Sequence, residues 1–243
     1  WLSLRGERHS RRARRLDGGK EYDAAIARAR EWIEGLQSKD GGFAAFDADN
    51  LEYYINNIPF ADHGAMLDPP TEDVTGRCVS MLAQLGETVE TSPAMKRGVD
   101  YLIRTQLDEG SWYGRWGLNY IYGTWSVMCA LNAAGVDHKA PTMRKDYKGY
   151  EAAPSTSSQT AWALLALMAA GEADHPAVHK GVAYLSQAQN EAGEWDETRY
   201  TATGFPRVFY LRYHGYRKFF PLWALARYRN LHSTNSRLVG VGM

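Results

Sequence analysis

Three ionisable side chains stand together at the head of an apolar segment: Glu72, Asp73 and Arg77. They close the stretch 56–77, NNIPFADHGAMLDPPTEDVTGR, which holds a double proline and four acidic residues and runs into the apolar segment 78–85, ended by Gly86. A carboxylate at the start of a buried helix is costly unless it is capped or used. Asp73 and Arg77 are one helical turn apart, a spacing that lets them face each other. An acid in a first turn also sits well at the positive end of the helix. Glu72 and Asp73 are adjacent and so project to different faces, which argues against the separated acid and base of an α/α glycosidase lining one cleft. A second group, Phe205 to Tyr216, crowds aromatic rings into a loop-like segment, FPRVFYLRYHGY.

These residues need a scaffold, and the composition allows one. The chain has 243 residues with 44% apolar content, enough for one large domain or one repeat array. Lys and Arg balance Asp and Glu at 28 each, and no basic stripe interleaved with aromatics lies beyond the N-terminus, so nucleic acid is not an expected partner. The aromatic count is high, 8 Trp, 15 Tyr and 7 Phe, with many rings beside Gly in short polar loops. Cys78 and Cys129 lie in apolar helical runs without zinc-type spacing, so a reduced, buried pair is expected and no metal. No apolar run approaches the ~20 residues of a membrane span. Residues 1–20 form an atypical segment with six Arg between Arg5 and Arg15, read as a transit-like stretch or a fragment edge. With Trp1 in first place, the chain is expected to be a piece of a longer protein.

The rest, 21–243, shows an internal repeat. The segments 29–43 (AREWIEGLQSKDGGF), 97–112 (RGVDYLIRTQLDEGSW) and 180–195 (KGVAYLSQAQNEAGEW) share an aromatic (Trp32, Tyr101, Tyr184), a glutamine five residues on (Gln37, Gln106, Gln189), then Gly and a closing aromatic (Phe43, Trp112, Trp195). Each predicts a helix with one apolar face, Trp32, Ile33 and Leu36 in the first case. The Gly after each Gln is expected to end the helix, the Gln amide to satisfy a helix end, and the Trp to stack on the neighbouring repeat. Between them lie more apolar segments, 74–85, 122–134 and 156–170, each followed by Gly (Gly86, Gly135, Gly171), and a last one over 220–228 with Pro221 near its start. Alternation of half-polar and apolar helices predicts an all-α fold, an α/α barrel or toroid of outer and inner helices. The barrel is incomplete. The outer helix begun at Pro141 stops after Lys145 with no Gln-Gly-Trp after it, and no inner helix precedes the helix of 24–36.

These repeats resemble the QW motifs of triterpene cyclases. The segments NIPFADHGAMLDPPTEDVT, GSWYGRWGLNYIYGTW, PSTSSQTAWALLAL and YTATGFPRVFYLRYHGYRKFFPLWALARY are similar to bacterial squalene–hopene cyclases over residues 19–243. The resemblance implies most of the second of two α/α barrel domains. It implies an isomerase-type activity, and a hydro-lyase one in the hopanol direction: proton-initiated cyclisation of squalene to hopene or hopanol, without metal or organic cofactor, for hopanoid biosynthesis. The implied setting is the bacterial cytoplasmic membrane, bound peripherally in one leaflet, often as a homodimer. It places Phe46, Phe60, Trp116, Tyr122, Phe205, Phe209, Leu211, Tyr213 and Tyr216 on or near the wall of a substrate cavity. Asp73 and Arg77 become support for the proton donor, and Ala61 and His63 mark the substrate channel. Aromatic faces suit this chemistry because they stabilise a cation without removing a proton, by about 0.5–2 kcal/mol per contact.

The pattern also breaks. The family's proton donor lies in an Asp-x-Asp-Asp motif, which this sequence lacks; residues 46–50, FDADN, follow the first Gln-Gly-Phe and are not its equivalent. The chain alone is therefore expected to be inactive. The rival readings are a non-catalytic helical-repeat scaffold or remnant and a protein prenyltransferase-like toroid. The second would need an Asp, Cys and His zinc set that is not found at a matching place.

Overall fold

The computed structural model describes residues 22–58, 66–145, 153–201, 203–205 and 209–233. Among these, eight helices carry the fold: α1 (Asp23–Gly35), α2 (Glu72–Gln84), α3 (Pro93–Arg104), α4 (Tyr120–Ala133), α5 (Pro141–Arg144), α6 (Ser157–Ala169), α7 (Pro176–Gln187) and α8 (Tyr216–Ser233). A 3₁₀ turn spans Tyr53–Asn57, and a two-stranded antiparallel ribbon pairs β1 (Thr203–Phe205) with β2 (Phe209–Leu211). The all-α, two-layer architecture expected from the sequence is what the chain adopts.

Four helices form the inner layer, α4 and α6 being the most apolar. α2 packs on α4, α4 on α6, and α6 on α8, while the outer helices α3 and α7 lie against α2 and α6. One core cluster, with Val79, Leu82, Met95, Leu102, Trp112 and Leu131, fills the space among α2, α3 and α4. A second, with Trp125, Trp162, Leu165, Met168, Leu185 and Trp195, fills that among α4, α6, α7 and α8. Gly76 lets α2 and α4 approach closely: a Cβ there would meet Ser126 Oγ at 3.0 Å and Ser126 O at 3.1 Å.

The inner helices α2, α4 and α6 stop as expected, at Gly86, Gly135 and Gly171, and all three use one cap. The glycine amide bonds back to Ala83, Asn132 and Met168, and the next amide reaches Leu82, Leu131 and Leu167. This double bond requires the left-handed conformation that glycine adopts without cost, and the three φ values are 91°, 84° and 78°. The outer helices behave differently from expectation. They end at Gly35, Arg104 and Gln187, ahead of Gly41, Gly110 and Gly193, which instead turn the loop that returns to the closing aromatic.

The glutamines fasten that loop. Gln37 Nε2 donates to Gly41 O (2.9 Å) and to Ala94 O (2.8 Å), in the first turn of α3. Its Oε1 accepts from Arg97. Gln106 Nε2 repeats this with Gly110 O and Thr142 O, both at 3.0 Å, and Gln189 Nε2 donates to Gly193 O at 2.7 Å. The closing tryptophans turn back on their own outer helix rather than stacking only on a neighbour: Trp112 Nε1 donates to Leu102 O and Trp195 Nε1 to Leu185 O. Their backbones in turn hold the following inner helix. Phe43 N donates to Thr75 Oγ1, Trp112 N to Thr124 Oγ1, and Trp195 O accepts from Arg217.

The irregular repeat is α5, a single turn whose end at Lys145 is extended. It is held by an ion pair from Arg144 to Glu172 and by Lys145 Nζ on Leu107 O at 2.8 Å. The truncated outer helix expected at Pro141 is therefore present as one turn. At α1, Trp32 is 62% exposed, and no residue of that helix is buried. The apolar face expected there is only partly covered, with Ile33 and Leu36 half-buried. The inner helix expected to be missing before α1 concerns residues outside the described ones.

Candidate functional site

The chemistry-bearing residues gather at one end of the inner layer, in the first two turns of α2, α4, α6 and α8. Asp73 and Arg77 come from α2, Tyr122 and Trp125 from α4, Trp162 from α6, and Tyr216 and Phe220 from α8. The loop-to-helix bonds of each repeat converge on these same turns, so the repeat that builds the scaffold also positions the site.

Asp73 is 2% exposed. Its Oδ2 accepts the amide of Trp116 at 2.8 Å and its Oδ1 the amide of Val74 at 3.0 Å, while Ser126 Oγ donates to its backbone carbonyl at 3.0 Å. Asp73 thus organises the loop 110–119. Arg77 turns elsewhere. Its Nη2 donates to the Tyr122 hydroxyl at 2.7 Å, and its guanidinium lies 5.4 Å from the Trp125 ring centroid and 5.7 Å from that of Tyr122. The facing Asp73–Arg77 pair expected from their spacing is not formed, because each side chain has a better tertiary partner. Burial pushes the Tyr122 phenol above its ordinary value, against the pull of Arg77. Gly117 packs flat against Tyr122, where a Cβ would come within 2.1 Å of the ring.

Around Tyr122 the rings pack edge to face and in stacks. Trp162 lies 5.2 Å from Tyr122, 5.3 Å from Phe220 and 5.7 Å from Tyr216, and stacks on Trp125 at 6.2 Å with 16° between planes. Tyr213 stacks on Tyr216 at 4.9 Å. The Tyr216 phenol is pushed up to about 12, chiefly by burial. The indole Nε1 atoms of Trp116 and Trp162 are buried without a hydrogen-bond partner among the described residues. Donors in that state cost free energy unless something meets them. A shallow, open cleft lies beside Tyr213 and Tyr216, lined also by Leu211, Ser158, Glu197 and Arg212. Glu197 closes it on one side, accepting from both Ser158 N and Ser158 Oγ.

The expected wall residues divide into groups. Tyr122, Tyr213 and Tyr216 come together. Leu211 is 44% exposed at the cleft. Phe46 and Trp116 form a separate edge-to-face pair at 5.7 Å, with Phe46 69% exposed and Arg115 over the Trp116 ring. Phe205 and Phe209 are backbone partners in the β1–β2 ribbon, and their side chains lie outside the described residues, as do Phe60, Ala61 and His63. Trp125, Trp162 and Phe220 were missed. A Trp in an apolar helix reads as core; the available signal was that Trp125 follows Tyr122 by three residues, on the same helix face. The two thiols are free, Cys129 buried and Cys78 half-buried rather than buried as expected.

Comparison with known proteins decides the family. The model for the squalene–hopene cyclase C-terminal domain matches residues 10–146 and 144–230. The chain belongs to this family. The two matched pieces meet where α5 is cut to one turn. Squalene–hopene cyclase of Bradyrhizobium diazoefficiens is 69% identical over 256 aligned positions, covering 96% of this chain and 39% of that protein. The alignment is longer than this chain, so that relative carries residues within the matched span that are lacking here. Squalene–hopene cyclase of Alicyclobacillus acidocaldarius is 42% identical, covering 88% of this chain and 38% of its own length. Dammaradiene synthase of Dryopteris crassirhizoma is 38% identical, with 85% and 37% covered. The chain spans well under half the length of the relatives it matches.

Proposed function

We infer that this chain is the barrel segment of a triterpene cyclase that binds squalene and guides a carbocation through ring closure to hopene or hopanol. The observation that carries this reading is the meeting of Arg77, Tyr122, Trp162 and Tyr216 at one end of the inner helices in a member of this family. Tyr122, Trp125, Trp162, Tyr216 and Phe220 supply π faces, and fixed faces in a water-poor site stabilise developing positive charge without reorganising. A wall that folds the polyene beforehand removes much of the entropic barrier. Asp73 holds the Trp116 loop and Arg77 fixes the Tyr122 hydroxyl; both are positioning residues beneath a proton donor contributed from outside this sequence. Among the described residues no helix is long and apolar enough to cross a membrane. Delivery of so apolar a substrate favours a peripheral seat on the bacterial cytoplasmic membrane, with a homodimer as the working form.

The test replaces the matching region of the Bradyrhizobium relative with this chain and assays squalene turnover by gas chromatography. Cyclised product from the chimera, with shifted ring number in its Trp162→Ala form, supports the reading. An inert chimera that expresses and folds refutes it. The chain alone is expected to leave squalene unchanged, and hopene formed by it alone would contradict the external donor. One observation favours a second reading, a helical-repeat scaffold: the rings at the inner end fill space against one another. An unchanged product profile in the Trp162→Ala chimera would select it.

A further inference from the structure

The opposite, C-terminal end of the inner layer carries a group of metal-ligating side chains outside the aromatic cluster. Asp174 lies in the loop after α6, His179 in the first turns of α7, and His232 in the last turn of α8. One ligand atom from each lies within 4.8 Å of the others. Tyr228 fixes both imidazoles, its ring 4.1 Å from that of His232 and 6.3 Å from that of His179. His232 Nδ1 faces Tyr228 O at 2.9 Å, and its Nε2 faces Asp174 Oδ1 at 3.0 Å.

With Nδ1–H donated to a carbonyl, the Nε2 of a neutral imidazole presents a lone pair. Nε2 and the Asp174 carboxylate already meet as an ion-pair contact, and a metal ion would join the same two atoms. The carbonyl contact on the remote nitrogen is the arrangement that orients metal-bound histidines and raises their basicity. The last turn of α8 and the C-terminal end of α6 also bring partial negative charge, which favours a cation. Around zinc, nitrogen and oxygen ligands at 2.0–2.2 Å stand about 3.4 Å apart. The Asp174–His232 separation already fits this spacing, and exposed His179 closes the rest by a small side-chain shift.

We propose that Asp174, His179 and His232 bind a borderline divalent cation of the zinc or cobalt class, completed by water, which clamps the end of α8 to the α6–α7 connection. Two imidazoles and one carboxylate suit these ions better than magnesium or calcium. The clamp is structural and takes no part in ring closure.

The test uses the purified 243-residue chain, stripped with chelator and titrated calorimetrically with zinc chloride, with cobalt absorption reporting the coordination geometry. One saturable site per chain is expected, and His179→Ala and His232→Ala should each weaken it by at least about tenfold. Zinc should raise the thermal midpoint of the wild type, and that of His179→Ala by clearly less. Circular dichroism checks each fold; if His232→Ala fails to fold, His179→Ala decides, since its side chain is exposed. Absence of saturable binding, or binding and zinc-induced stabilisation unchanged in His179→Ala, overturns the proposal.

Discussion

Glu72 opens α2 beside Asp73 yet faces the other way, toward Thr105 and Tyr101. Burial pushes its carboxyl up from 4.5 to about 7, only partly opposed by its hydrogen bonds. Raising a carboxyl that far costs the ionised form about 3 kcal/mol. Residual contact with water reduces the expected effect to about 1–2 kcal/mol. Between pH 4.5 and about 7 the folded chain keeps a proton that the unfolded chain has released. Stability from this group therefore falls as pH rises through that window and is fully lost above it. Glu72→Gln keeps the shape and hydrogen bonding but cannot ionise. Urea unfolding followed by tryptophan fluorescence should show the two proteins differing least near pH 4.5, with the variant gaining about 1–2 kcal/mol over the wild type by pH 8. The difference between variants isolates Glu72 from every other ionisable group. A gap that stays constant from pH 4.5 to 8 would show that Glu72 is not strained by burial, and the reasoning fails.

Other expectations follow from single contacts. Tyr122→Phe keeps the ring but strands Arg77 Nη2, and should cost about 1 kcal/mol in urea unfolding; a cost near 4 kcal/mol would mean the hydroxyl does more than hold Arg77. Gln37→Ala should destabilise by about 1–3 kcal/mol and by more than Gln189→Ala, since Gln37 reaches a second backbone carbonyl at Ala94; equal costs would remove the role of that second bond. Burial pushes Cys129 up to about 11 and Cys78 up to about 12, so both thiols should stay unreactive to a disulfide reagent at neutral pH and both react in denaturant.

What the sequence disclosed depended on range. The Gln-Gly-Trp repeat and the three glycine stops are local, written within a dozen residues, and the two layers follow from them. The partners of Asp73 and Arg77 are not local. Spacing permits an i,i+4 pair but cannot weigh it against a Trp116 amide and a Tyr122 hydroxyl more than forty residues away. The same limit hid Trp125 and Trp162, whose place among the rings depends on four helix starts meeting. Of the residues that family motifs mark, Tyr122, Tyr213 and Tyr216 lie in one group of rings. Phe46 lies apart from that group, mostly solvent-exposed and paired with Trp116.

The glutamine latch touches only the opening turn of the next outer helix, at Ala94 in one repeat and Thr142 in the other. Everything beyond that turn can be shed without unfastening the neighbour, which is how α5 survives as four residues in an otherwise regular array. Such an array tolerates deletions on its outside while the inner helix starts stay aligned, so outer-layer length is free to drift and inner-layer register is not.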